Sequence, residues 1–273
     1  MTESIQHVTD VYDLNRKQDN YTVLKPFGTH LIKGVMPEEV VNGLDDYFEE
    51  IRSMESIPDD IDNQYNLAGN LHKEFYITAK GLKDTSDAFV QMISDISGQF
   101  YLAHLNMAFL RLKDIVTPLH KEILERHLDD IQLSVTLKDA WGNISIAGDQ
   151  NPIHHHTGHL SGVGYLRVPQ DIEEEWLLED HDPSSGMIQF WDGRPAPFAP
   201  HYHKAKPMPG DIFVFPAWLP HSVHPFRSKG ERWSFSFNVD VENRNIDLAL
   251  TDLEKQELKN ERRRLLKELK NEE

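Results

Sequence analysis

Beyond Ile131 the chain changes period, and this limits the fold more than any other feature of the sequence. Residues 132–137 (QLSVTL) alternate polar and apolar side chains, the period of two with which a strand buries one face. Short segments of extended character follow at 142–147, 160–168, 186–191, 211–216 and 232–241, with glycine and proline clusters between them. Many short strands joined by turns form a jelly roll or barrel.

Before Ile131 the period is helical. Residues 21–35 read as a broken extended segment punctuated by Pro26 and Gly28. Pro37, with Glu38 and Glu39 behind it, suits a helix N-terminus, and Val40, Val41, Leu44, Phe48 and Ile51 carry a helical stripe over about 37–54. Residues 55–82 read as loop. Asp84, Thr85 and Ser86 then cap a second helix, whose core face is Phe89, Ile93, Ile96, Phe100 and Ala103. A further helical region is expected over 105–128, interrupted near Pro118. The expected class is α+β: a helical part over about 1–130, a β core over 131–245 and a charged C-terminal helix over 250–273, all in one domain, 1–273. In the tail, Thr251 and Glu254 make a capping box, and Leu253, Leu258, Leu265 and Leu269 lie among dense Lys, Arg and Glu. It reads as a solvated helix laid on the domain, with a homodimer paired through it as the alternative.

Composition removes several chemistries. The 273 residues contain no cysteine, so disulfides, thiolate nucleophiles and iron–sulfur clusters are excluded, and any metal must be held by His, Asp or Glu. With 28 basic against 45 acidic residues the net charge is −17, which opposes nucleic acids and anionic membranes as partners. No segment approaches the roughly 18 apolar residues of a membrane span. The polar residues 1–20 lack a basic start and an apolar run, so a cytoplasmic protein is expected.

The 15 histidines are more telling, because several cluster. Residues 151–166 read NPIHHHTGHLSGVGYL. On a strand His154 and His156 face one way and His155 the other, so the first two can grip one metal ion. The third ligand expected is His221, in FPAWLPHSVHPF. Its rival His224 has the opposite strand parity. A second pair, His201 and His203, has no Arg-x-Ser beyond it, while His155 and His159 read as structural or supporting. An isolated His-x-His is more often a surface pair than a site. The weight here comes from His221 and from Arg232 and Ser234, which follow a turn at Gly230 and share one strand face. Arg232 stands between Glu231 and Trp233, and its bland reading is a surface ion pair. Facing inward it needs a carboxylate, which its planar fork of donors matches. Tyr165 reads equally as a phenol reaching that carboxylate or as a core aromatic. Arg194, after a turn at Asp192 and Gly193, is a candidate substrate contact.

Taken together these residues resemble the Fe(II)/2-oxoglutarate dioxygenase superfamily. They are closest to a branch common in phage and marine bacterial genomes, through Trp141, Asn143, Asn151, Pro152, His154, His156, Gly158, Leu160, Ser161, Gly210, Asp211, Phe215, Pro216, Leu219, His221, Val223, Pro225, Glu231, Arg232, Ser234, Phe237 and Asn238. The resemblance covers about 131–241 and extends weakly to Phe27, Gly28 and Thr29 and to Asn66, Leu67, Ala68 and Gly69. It implies a double-stranded β-helix (a cupin-like jelly roll) and an oxygenase that uses Fe(II) and 2-oxoglutarate. Such an enzyme hydroxylates a small-molecule or peptidyl substrate and releases succinate and carbon dioxide. The implied metal ligands are His154, His156 and His221, and the implied 2-oxoglutarate contacts are Arg232, Ser234 and Tyr165. One departure stands out: the middle ligand is usually a carboxylate, and here it is His156. Asp149 and Asp211 are the carboxylates that could support it from behind. Two other readings stay open, a three-His cupin-type dioxygenase without 2-oxoglutarate and a non-catalytic metal-binding β-barrel.

Overall fold

The computed structural model describes residues 8–9, 21–24, 28–64, 69, 71–112, 119, 122–123, 132–178, 182–193, 201–243 and 252–271. Strands β1 (Val8–Thr9), β2 (Tyr21–Leu24) and β3 (Leu31–Val35) come first, β2 and β3 forming an antiparallel pair from the segment read as broken and extended. Helix α1 (Glu38–Ser53) starts behind Pro37 with Glu38 and Glu39 in its first turn, where the helix dipole favours negative charge. It buries Val40, Leu44, Tyr47, Phe48 and Ile51.

The region read as loop, 55–82, holds two elements: β4 (Lys73–Tyr76) and the single-turn α2 (Ala79–Leu82), whose cap Thr78 accepts from the Gly81 N–H at 3.1 Å. Four residues are too few for a periodic signal, and β4 exists because it pairs with a neighbouring strand. Helix α3 (Ser86–Leu112) buries Phe89, Ile93, Ile96 and Phe100 as expected, and it absorbs the start of the helix expected over 105–128. Pro118 lies outside the described residues.

The β half comprises β5 (Leu133–Ser145), β6 (Asn151–His154), β7 (Leu160–Arg167), β8 (Ile188–Trp191), β9 (Tyr202–Ala205), β10 (Asp211–Pro216), β11 (His221–Val223) and β12 (Arg232–Asn243). Between β7 and β8 lies the short helix α4 (Ile172–Leu178), and α5 (Asp252–Asn271) is the charged C-terminal helix. The two strands expected at 132–137 and 142–147 are one strand, β5. Lys138, Asp139 and Ala140 are poor strand formers and hid its middle, but pairing with β12 on both sides of a bulge there overrides that preference.

Two antiparallel sheets result. The larger runs β1-β5-β12-β7-β10-β3-β2, with β4 on β5; the smaller runs β6-β11-β8-β9. Their closure is the double-stranded β-helix. One face of the large sheet packs on α1 and α3 through Phe75, Ile144, Trp233, Phe235, Phe237 and Val214, all buried. This layer is close-packed: a Cβ on Gly162 would lie 2.2 Å from Cζ of Phe237. The alternate residues face the small sheet and line a cavity of about 350 Å³. Among the described residues, no helix is long and apolar enough to cross a membrane.

Candidate metal centre

The small sheet carries the first part of the site. His221 on β11 pairs in register with His154 at the end of β6, which puts two imidazoles side by side. His156 follows two residues beyond the end of β6, where its N–H donates to Ala217 O at 2.9 Å. The ring centroids stand 4.3 Å apart for His154 and His221, 4.9 Å for His154 and His156 and 5.0 Å for His156 and His221. One ring nitrogen from each lies within 4.8 Å of the other two, a spacing at which the three can hold a metal ion.

The rings are also in the right state. Nδ1 of His154 sits 2.7 Å from Pro152 O and Nδ1 of His221 sits 2.9 Å from Leu219 O. A carbonyl only accepts, so each Nδ1 carries the proton and each Nε2 keeps a free lone pair. Burial, reinforced by the neighbouring imidazoles, lowers His154 and pushes His156 down to about 4 and His221 to about 3. At neutral pH all three are uncharged, the form that binds metal. Trp141 on β5 lies against His156, ring centroids 5.3 Å apart.

The large sheet carries the second part. Arg232 opens β12, 2% exposed, with Ser234 two residues on along the same cavity face. Its Nη1 donates to Gly186 O at 2.9 Å and its Nη2 to Ser145 Oγ at 3.1 Å. Nε is buried without a partner, and so is the hydroxyl of Tyr165, which pairs with Ser234 across β7. Burial pushes the Tyr165 phenol up, opposed by the Arg232 charge, and burial also lowers Arg232. Among the described residues no carboxylate lies within ion-pair distance of Arg232.

Residues 139–238 match the family described as "Putative 2OG-Fe(II) oxygenase". The match runs from the middle of β5 into β12 and covers under half of the chain. No curated protein matches the chain. Among solved structures, a prolyl-4-hydroxylase of Pseudomonas putida is similar at 15% identity over 77% of this chain and 93% of its own, with a TM-score of 0.41. An oxidoreductase of the 2OG-Fe(II) oxygenase family from Burkholderia pseudomallei is 12% identical over 78% and 88%, TM-score 0.41. HygX from Streptomyces hygroscopicus, solved with nickel and 2-oxoglutarate, is 12% identical over 79% and 83%, TM-score 0.42. Similarity at this level carries no argument about the site, which rests on its own geometry.

For a 2OG-Fe(II) oxygenase the donor set fits on two counts. Three neutral imidazoles suit a first-row transition metal. The orphaned Arg232 and Tyr165 donors suit a carboxylate. No carboxylate joins the imidazoles among the described residues. Asp149 accepts from the backbone of His72 and Ile146, and Asp211 pairs with Lys33 at 2.7 Å. Among the described residues no other histidine joins the cluster: His224 bonds Gln189, His159 accepts from the Val241 N–H, and His203 lies on β9. His155 is exposed at the cavity rim. Arg194, Phe27 and Asn66, Leu67 and Ala68 lie outside the described residues. Sequence reasoning missed Glu74, on the unrecognised β4, and the cavity position of Asp139, whose only signal was its polarity, and it matched Asn238 to the family motif without giving it a role.

Proposed function

We propose that the chain is an iron(II)- and 2-oxoglutarate-dependent oxygenase of the hydroxylase type. In this reading His154, His156 and His221 hold the iron, and Arg232, Ser234 and Tyr165 hold the distal carboxylate of 2-oxoglutarate. The observation that carries it is the convergence of three bare imidazoles in one cavity with a buried guanidinium that has no counter-ion among the described residues. An unpaired buried charge is costly, so a diacid is the partner the site lacks. When bound, the iron supplies oxygen activation coupled to decarboxylation of the oxo acid. The chain's own part is positioning. The Pro152 and Leu219 carbonyls fix two imidazole tautomers, Arg232 and Tyr165 orient the diacid, and the apolar layer of Phe190, Phe213 and Phe215 keeps water from that end.

The all-imidazole ligand set favours a second reading, a cupin-type dioxygenase that needs no oxo acid. Arg232 speaks against it, because such an enzyme has no diacid to neutralise a buried guanidinium. Anaerobic Fe(II) loading followed by a succinate assay separates the two. His156→Ala should abolish iron binding. Arg232→Ala should leave iron in place but weaken 2-oxoglutarate binding about a hundredfold, in the 2–5 kcal/mol range of a truncated buried charge pair. Full iron occupancy in His156→Ala would sink the ligand assignment, and oxidation of substrate without succinate would sink the oxo-acid assignment.

A further inference from the structure

We propose that the β4–β5 wall of the cavity is the substrate-side subsite and that it takes a cationic group, a protonated amine or a guanidinium, on Glu74 and Asn143. The proposal rests on the oxygenase reading in one respect, that Arg232 is taken by 2-oxoglutarate. The polarity of the unsatisfied atoms carries it. At the Arg232 end the orphans are donors, Arg232 Nε and the Tyr165 hydroxyl. Farther along the same sheet face, on β5 and at the Asn238 position of β12, they are acceptors. Asn143 Oδ1 and Asn238 Oδ1 have no partner, on side chains only 8% and 5% exposed. Glu74 pairs in register with Asn143 and is 5% exposed. Asn63 Nδ2 donates to its Oε1 at 2.5 Å, and among the described residues no basic side chain lies within ion-pair distance of it. Asp139, paired with Asn238, likewise lacks a basic ion-pair partner there.

Buried without a counter-cation, Glu74 is pushed up to about 8. Ammonium and guanidinium groups donate hydrogen bonds and accept none, which complements a wall of acceptors. Between the Glu74–Asn143 row and the Asp139–Asn238 row lie Tyr76 and Trp141, opposite each other in register on the cavity face, and aromatic surfaces also favour a cation. Among the described residues, Arg232 is the sole Lys or Arg lining the cavity, so no described cationic side chain faces a positive ligand from the β4–β5 side. The net charge of −17 favours approach of cations from solution.

The test is calorimetric titration of the anaerobic Fe(II)–2-oxoglutarate protein with L-lysine, L-arginine, Nα-acetyl-L-lysine amide and neutral L-norleucine. A lysine or arginine probe should bind about tenfold or more tighter than norleucine, because a buried acceptor left unpaired is penalised. Preference for the capped over the free amino acid would assign the cation to a residue within a chain, and the reverse to a free metabolite. Glu74→Gln and Asn143→Leu should each weaken the cationic probe about tenfold, and in Glu74→Gln, two strands away from Ser234, 2-oxoglutarate binding should stay within about twofold of the parent. Equal binding of norleucine, failure to hold any cationic probe, or undiminished lysine binding in both variants would overturn the proposal. Loss of 2-oxoglutarate binding in the parent protein would instead overturn the oxygenase reading, so the two failures are told apart in one set of samples.

Discussion

Strand β12 has two faces that obey different rules. Trp233, Phe235, Phe237 and Val239 point to the helices and are buried among α1, α3 and the Phe75 region of β4. Arg232, Ser234, Ser236 and Asn238 alternate with them and line the cavity. Both faces are covered, so burial alone does not explain the difference. The helix face is apolar because its neighbours are apolar. The cavity face is polar, and several of its atoms lack partners within the protein. Native interiors rarely leave such groups unpaired, so the polarity marks where ligands complete the structure.

Three substitutions would break or sharpen this contrast. The largest effect should come from Phe235→Ala on the helix face. Phe235 is fully buried, packs edge-on against Phe89 at 5.5 Å and fills the space that the missing side chain of Gly164 leaves. The loss should be about 3–5 kcal/mol in urea unfolding. A loss below about 1 kcal/mol would mean this layer is not the core it looks like.

Next comes Glu74→Gln on the cavity face, which should raise stability. The folded protein holds the Glu74 proton up to about pH 8, and the unfolded chain releases it near 4.5. The stability Glu74 contributes is therefore complete below that lower value and is lost as pH rises through the window between the two. Each unit is worth about 1.4 kcal/mol, so the glutamine variant should gain up to a few kcal/mol by the alkaline side of the window. Glutamine still accepts from Asn63. The check is the difference in unfolding free energy between variant and parent across pH; a flat difference curve would show that Glu74 is not held protonated.

The smallest expected effect on stability is that of Arg232→Met. Replacing a buried charge with an apolar side chain of similar length should be neutral or stabilising by about 1–2 kcal/mol, although diacid binding is lost. A loss of several kcal/mol in the ligand-free protein would show that Arg232 is structural, held by its bonds to Gly186 and Ser145, and would weaken its assignment as the diacid anchor.

The sequence alone determined the periods, and through them the helical first part, most strands of the β half and the charged C-terminal helix. It also singled out the candidate residues His154, His156, His221, Arg232 and Ser234, by strand parity together with the family resemblance, and the fold brings all five to one cavity. Only the tertiary structure decided that 132–137 and 142–147 are one strand, that β4 exists, and that Glu74 shares a row with Asn143, Ser234 and Tyr165. The physical reason is that register between distant strands is set by pairing and by packing on both faces, which no local window contains. A cavity face also reads as loop in sequence: its polar residues serve ligands rather than the core, and so they erase the apolar alternation by which strands are recognised.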